Sequence, residues 1–272
     1  MRTPHITLSL GVLVGLLLTG TAHAGATTGA TTGAVIGAPV PTGTKALTHN
    51  PLYRSGKLTL PCDRHPKGAG SVAAAKKHLT AISGCLNASW SKQLKKIGVM
   101  FRKPGIQFMT KPGTACGSEW GRYHTGRYCT DERQLVIMIG DYAVKAPADP
   151  VMLHLIAHEY AHHVQNLTGI WGAYEVMPAD TESQALAQSR RLELQADCLG
   201  AVFMSSVWSS QNYRSEDWKE VVDHYRLSGD EKVNTKRSHG TGRNRAAWLQ
   251  RGFAAASPSA CNTWSAPASR VA

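Results

Sequence analysis

The 272-residue chain lacks a Cys-x-x-Cys pair, an internal repeat and any recognised nucleic-acid-binding motif. The missing cysteine pair argues against a zinc ribbon and against a thioredoxin-like redox site. Beyond the first 18 residues, no segment is apolar for long enough to cross a bilayer. Acidic residues are scarce, 18 against 30 lysines and arginines, so the formal net charge is +12.

This positive charge could attract nucleic acid, an acidic substrate or an anionic cell envelope. The basic residues are scattered in small groups such as Lys76 with Lys77 and Lys236 with Arg237. We therefore prefer a solvated basic surface to specific nucleic-acid binding. Loose attraction to an anionic cell envelope remains an open alternative, and the sequence does not indicate an oligomeric state.

The first 24 residues have the pattern of a signal peptide. Arg2 precedes an apolar stretch over residues 8–18, and the small residues Ala22 and Ala24 follow. The stretch is short for a membrane span, and its ending suits cleavage near Ala24, so we expect a secreted or extracytoplasmic protein. An uncleaved N-terminal anchor is the alternative.

Cysteine occurs six times, an even number that allows three disulfides in an exported chain. The sequence alone leaves fifteen pairings open. The candidates are Cys62, Cys85, Cys116, Cys129, Cys198 and Cys261.

Composition divides the chain after the signal peptide into three parts. Residues 25–50 are rich in Gly, Ala, Thr and Pro, which predicts a flexible leader. Residues 51–265 have the composition of one globular domain, and residues 266–272 form a C-terminal tail.

Apolar periodicity predicts five helices within the globular part. They cover residues 71–97, 149–166, 180–208, 215–227 and 243–253, although Gly84 weakens the first as one unbroken helix. Residues 98–110 and the apolar run 134–139 predict a small sheet. A few strands followed by several helices indicate an α+β fold.

His158, Glu159 and His162 form an H-E-x-x-H motif in the helix predicted over 149–166. Residues four apart lie on one helix face, so the two imidazoles can reach one metal ion. Glu159 then lies beside them as a general base. His154 and His163 are interpreted as ordinary helix histidines. The alternative for His154, which lies one turn before His158 on the same face, is a group that supports the ligands.

Glu193 and Asp197 repeat the four-residue spacing on the following predicted helix. Catalytic zinc usually has three protein ligands and one open position. Glu193 is the best third ligand, and Asp197 can accept the N–H of a ligand histidine. Their apolar surroundings make two solvated carboxylates the weaker interpretation.

Three ordered motifs, HEYAHHVQNLTG, RLELQADCLGAVF and SHGTGRNRAAWLQRGF, resemble the bacterial neutral zinc metallopeptidases of the thermolysin-like, glutamate-ligand zincin group. The segment TACGSEWGRYHTGRYC is similar to that family's paired-cysteine segment, whereas TDERQLVIMIG after it departs from the family pattern. The resemblance covers about residues 114–253.

The resemblance implies a disulfide-stabilised zincin fold over residues 51–265, a small sheet with a bundle of active-site helices. One catalytic Zn²⁺ would be held by His158, His162 and Glu193, with Glu159 as base and Asp197 orienting a ligand. It further suggests the pairs Cys116 with Cys129, Cys198 with Cys261 and, by what remains, Cys62 with Cys85.

Hydrolysis of a peptide or protein substrate also requires a donor to the developing oxyanion. His239 is the candidate, because it lies beside Gly240 in a loop that can present it to a cleft. Tyr160 and Tyr174 are weaker candidates, and an ordinary loop histidine is the plain alternative.

Two other functions compete with a secreted zinc metalloendopeptidase. The first is a non-catalytic, zinc-binding, envelope-associated binding or assembly protein on a zincin scaffold. Glu159 argues against it, because a structural zinc site has no need of a neighbouring base. The second, a nucleic-acid-binding protein, predicts salt-sensitive DNA binding that is independent of zinc.

Overall fold

The computed structural model describes residues 40–63, 70–120, 125–232 and 237–272. The expected signal peptide and residues 25–39 of the expected leader lie outside the described residues. Those that are described belong to one compact unit within residues 37–272. In them, no helix is long and apolar enough to span a membrane.

Helices dominate the structure, with a small amount of sheet, as the α+β prediction requires in outline. The helices are α1 (Gly43–Thr48), α2 (Val72–Lys95), α3 (Asp141–Lys145), α4 (Pro150–Leu167), α5 (Ile170–Glu175), α6 (Glu182–Val207), α7 (Ser215–Leu227) and α8 (Gly242–Ala255). The strands are β1 (Gly105–Met109), β2 (Gly113–Ala115), β3 (Ser118–Trp120), β4 (Gly126–Cys129) and β5 (Gln134–Met138). Short 3-10 helices cover Pro51–Arg54, Pro258–Ala260 and Ala268–Arg270.

The sheet has the strand order β1-β5-β4, while β2 and β3 form a separate antiparallel hairpin. Strand β1 is parallel to β5, and β4 is antiparallel to it, with Gly126 opposite Ile137. Tyr128, Leu135 and Ile137 join the main core. Strand β4 therefore lies at an edge of this sheet, and it packs on α4.

Helix α4 begins as its sequence predicts. Pro150 occupies the first turn, and the Asp149 carboxylate caps the helix by accepting the N–H of Val151 at 2.7 Å. Helix α6 crosses α4 closely at Gly200, where an added Cβ would lie 3.1 Å from His154 Nε2 and 3.2 Å from the backbone N of His158. A glycine at this position lets the two helices carrying the motifs approach each other.

The packed unit extends beyond both expected boundaries of the globular domain. In the leader, α1 buries Ala46 and Leu47, and Asn50 donates from Nδ2 to the carbonyl of Thr168 at 2.9 Å. In the tail, Val271 is buried and the carbonyl of Ala272 accepts the N–H of Thr241. Residues 40–50 are therefore ordered as helix and turn, not a flexible leader. The composition of residues 25–50 did not predict this, because an average does not register a few buried side chains.

Three disulfides cross-link the chain, and they are the pairs that the resemblance suggested. Cys62–Cys85 links the segment before α2 to that helix, and Cys116–Cys129 links the β2–β3 hairpin to β4. Cys198–Cys261 links α6 to the C-terminal segment. Because disulfides persist in oxidising compartments, they suggest an extracytoplasmic location.

Candidate metal centre

The side chains of His158, His162 and Glu193 meet where α4 faces α6. The Nε2 atoms of the two histidines lie 3.2 Å and 3.3 Å from Oε2 of Glu193. Both histidines are buried, and the Glu193 side chain is 16% exposed. The helical spacing thus brings the three predicted ligand side chains to one point.

The environment of Glu193 fits a bound cation. Its Oε2 atom is buried, yet in the described part of the chain it accepts no hydrogen bond. Burial alone would raise the pKa of Glu193, but the charges of His162 and His239 lower it well below the usual range. Two imidazole nitrogens and one carboxylate oxygen are a donor set that zinc accepts.

His239 lies next to these groups, with Nε2 3.5 Å from Oε2 of Glu193. One potential ligand atom each of His158, Glu193 and His239 lies within 4.8 Å of the others. This group differs from the predicted ligand set, because His239 replaces His162. The His239 side chain is 44% exposed, whereas that of His162 is 6% exposed.

A charged network orients His158. Its Nδ1 donates to Oδ1 of Asp197 at 2.9 Å, and Arg245 donates to the same carboxylate from Nε at 2.9 Å and Nη2 at 3.1 Å. Although burial opposes its charge, Arg245 and His158 hold the pKa of Asp197 far below its usual range. Burial likewise would lower the pKa of His158, but its hydrogen bond to Asp197 and the nearby carboxylate of Glu193 raise it to about 10.

His162 is oriented by neutral amides. Its Nδ1 donates to Oε1 of Gln165 at 2.8 Å, and Gln165 Nε2 donates to Oε1 of Gln195 at 3.0 Å. Gln195 continues the chain by donating to the Tyr53 hydroxyl at 2.8 Å and to the carbonyl of Cys261 at 3.1 Å. We call these three residues, Gln165, Gln195 and Tyr53, the amide relay.

The other two histidines of α4 are buried and uncharged at neutral pH. His154 donates from Nε2 to the Asp197 carbonyl at 3.0 Å, and His163 contacts Tyr128 and the Arg102 carbonyl. Burial lowers the pKa of each to about 4. His163 is a structural histidine, whereas His154 holds the backbone carbonyl of Asp197.

Glu159 packs against strand β4 beside the histidines. An added Cβ at Gly126 would lie 2.7 Å from both Cγ and Oε1 of Glu159. Any residue other than glycine at position 126 would therefore displace the Glu159 carboxylate. Burial raises the pKa of Glu159, although His158 and His162 partly oppose the shift. Such a carboxylate is suited to accept a proton near neutral pH.

The group opens into a cleft of about 980 Å³. Its wall is apolar along one side of α4, through Val151, Met152 and Leu155, and Trp171 lies edge-on to His162 at 5.3 Å between ring centroids. A cleft of this volume accommodates an extended segment of a larger substrate.

The loop that carries His239 is held at both ends. The Asp230 carboxylate accepts the N–H of His239 at 3.0 Å and that of Gly240 at 2.6 Å. Thr241 is tied to the C-terminal segment through Ala272. Neither tyrosine alternative lines the cleft, because the Tyr160 hydroxyl donates to Asn87 and Tyr174 packs between Trp171 and Trp264.

Arg245 and the amide relay are the parts of the site that the sequence motifs did not reveal. Gln165 lies three residues after His162 on α4, a spacing that could have identified it. Arg245 belongs to the SHGTGRNR segment, where nothing local marks it as a partner of Asp197. Tyr53 and Gln195 are 142 residues apart, so only the fold joins them.

Comparison with known proteins gives one family and several uncharacterised relatives. The sequence model of a family described as "Putative neutral zinc metallopeptidase" matches residues 59–264. The uncharacterized protein YpfJ of Escherichia coli K12 is 28% identical over 209 residues, covering 70% of this chain and 71% of the relative. The uncharacterized protein Rv2575 of Mycobacterium tuberculosis H37Rv is 27% identical over 229 residues, covering 73% and 74%. No solved structure matches the chain significantly.

Proposed function

Since this chain belongs to the neutral zinc metallopeptidase family, we propose that it is a secreted zinc metalloendopeptidase with a zincin-like fold. One observation carries the proposal. The Nε2 atoms of His158 and His162 lie against a buried Glu193 oxygen that accepts no hydrogen bond from the described residues, and Glu159 adjoins them in a cleft.

We assign His158, His162 and Glu193 as the ligands of one Zn²⁺. His162 is preferred to His239 because its Nδ1 is fixed by a buried partner, as is usual for ligand histidines, while His239 is more exposed. When bound there, zinc supplies a Lewis acid that polarises the scissile carbonyl and makes water more acidic.

We assign a separate role in proton transfer or hydrogen bonding to each side chain at the cleft. The Glu159 carboxylate accepts the proton of the attacking water and delivers it to the leaving amine. Asp197 and Arg245 keep the Nδ1 proton on His158, which leaves its Nε2 free to be a ligand. His239 donates from Nε2 to the oxyanion that develops on the substrate.

The test compares the mature wild type with Glu159→Gln. We expect about one zinc per chain in both proteins and a loss of peptide cleavage of at least about 10²-fold in the variant, because only the proton acceptor is removed. Zinc is measured by elemental analysis, and cleavage with casein and a peptide library. Bound zinc without Glu159-dependent cleavage of any peptide would instead favour the non-catalytic zinc-binding protein.

His239→Ala separates the two roles open to this residue. If His239 is an oxyanion donor, turnover falls by about 10²- to 10³-fold with zinc content unchanged. Loss of zinc would make it a ligand, and unchanged turnover would remove it from the mechanism.

A further inference from the structure

The positive charge of the chain is concentrated in its first half. Residues 40–130 contain 15 lysines and arginines but only two acidic residues, whereas residues 131–272 contain 14 and 16. In the described ranges, every ion pair of a lysine or arginine with a carboxylate lies between Asp197 and Arg245. Among the described residues, the cations of the first half are therefore not neutralised by ion pairs.

Residues 95–103, which we call the Met100 loop, combine this charge with an exposed apolar tip. Met100 is 65% exposed, and exposed cations flank it on both sides. The loop is fixed to the core, because His163 donates from Nε2 to the carbonyl of Arg102 at 2.7 Å. The flanking cations are Lys95, Lys96, Arg102 and Lys103.

A cavity of about 300 Å³ opens beside the tip of the loop. Two arginines, Arg102 and Arg133, line it together with the apolar residues Val40, Val99 and Leu167. Asp131 and Glu132 precede Arg133 but form no ion pair with it. Guanidinium groups bind phosphate through several N–H donors, so the cavity suits a phosphate attached to an apolar group.

We propose that the Met100 loop and this cavity dock the protein on a bilayer that contains anionic phospholipid. Met100 would enter the interfacial region, the flanking lysines would lie among the headgroups, and Arg102 and Arg133 would bind a lipid phosphate. A nucleic acid fits less well, because an exposed methionine gains nothing from a phosphodiester backbone. Phe101, the aromatic residue of the loop, packs inward on His163 and cannot stack on bases.

Vesicle co-sedimentation of the mature protein tests this proposal. We expect binding to phosphatidylcholine vesicles with 30% phosphatidylglycerol, about tenfold or more weaker binding to pure phosphatidylcholine, and loss of binding in 0.5 M salt. The Arg102→Ala/Lys103→Ala variant should bind about thirtyfold more weakly. Met100→Ser should weaken binding at constant charge.

The matched control is Lys145→Ala/Lys232→Ala, which removes the same charge from exposed positions in the second half. It should bind like the wild type, and so should Glu159→Gln, because docking does not depend on peptidase activity. Equal binding to both vesicles, or an equal loss in the control variant, would overturn the proposal. Tighter binding to duplex DNA than to anionic vesicles would also overturn it, in favour of nucleic acid.

Discussion

Gln165 and Asp197 orient the two histidines of α4 by different means. Asp197 is a buried charge balanced by Arg245, whereas Gln165 is neutral and passes its bonds on to Gln195. Both leave Nε2 of the histidine facing Glu193. The orientation of His162 therefore depends on a chain of hydrogen bonds through the Gln165 carboxamide, not on an ion pair.

Gln165→Leu should weaken zinc binding by about 10- to 100-fold, because His162 would lose the acceptor that fixes its ring. Competition with a chromophoric chelator measures this affinity directly. Gln107→Leu, an exposed position on β1, is the control and should leave the affinity unchanged. An unchanged affinity in Gln165→Leu would mean that packing alone orients His162.

His163 makes stability depend on pH. Burial lowers its pKa to about 4, below the value near 6.5 of an unfolded chain, so the unfolded state binds the proton more tightly. The contribution of neutral His163 to the free energy of unfolding is therefore complete above about pH 6.5. It falls by up to about 3 kcal/mol as the pH drops to 4.

Urea unfolding at several pH values, with disulfides intact, measures this effect. His163→Gln should flatten the pH dependence of the unfolding free energy between pH 6.5 and 4. His49→Gln, at an exposed histidine, should not change it. A slope that stays the same in His163→Gln would contradict the assignment.

At the scale of elements, the crossing of α4 and α6 depends on Gly200. An added methyl group would meet atoms of His154 and His158 at 3.1–3.2 Å, so the helices must move apart. We expect Gly200→Ala to lower the unfolding free energy by about 1–3 kcal/mol and to weaken zinc binding. Thermal unfolding and chelator competition measure the two effects.

Gly84→Ala is the matched control on a different helix. Gly84 is exposed within α2, and nothing lies within 4 Å of an added Cβ. Alanine should therefore stabilise the protein by about 0.5–1 kcal/mol through its better helix propensity. If both variants behaved alike, the helix crossing would not be the cause.

The helices and the centre of the site could be predicted because their information is local. Apolar spacing located α4, α6 and α7, and a spacing of four placed His158 with His162 and Glu193 with Asp197. The predicted helix over 71–97 forms despite Gly84, since one residue of poor propensity does not outweigh a buried face. Arg245 and Tyr53 could not be predicted, because their contacts join positions 48 and 142 residues apart.

At the scale of the whole molecule, both ends of the described chain brace the site. Asn50 donates to the carbonyl of Thr168 at the end of α4. The segment 268–272 accepts the N–H of Thr241, next to the His239 loop, and the indole N–H of Trp248 on α8. The family match stops at residue 264, so this last support lies outside it.

Deleting residues 268–272 should lower the melting temperature by about 5 °C, mainly through the lost burial of Val271. Turnover should fall with zinc content unchanged, since the deletion frees the loop of His239 but not the ligands. Calorimetry, elemental analysis and peptide cleavage measure the three quantities. Arg270→Ala, which keeps the backbone contacts of this segment, should behave like the wild type.

The Cys198–Cys261 disulfide makes the assembly of the site depend on the oxidation of two cysteines. Cys198 follows Asp197, and the carbonyl of Cys261 accepts a hydrogen bond from the amide relay, so one covalent link anchors the supports of both histidines. Disulfides rarely persist in a reducing cytoplasm. If the chain is the metallopeptidase proposed above, a copy with this cysteine pair reduced would hold its two histidines less firmly. Peptidase activity would then depend on oxidation of Cys198 and Cys261.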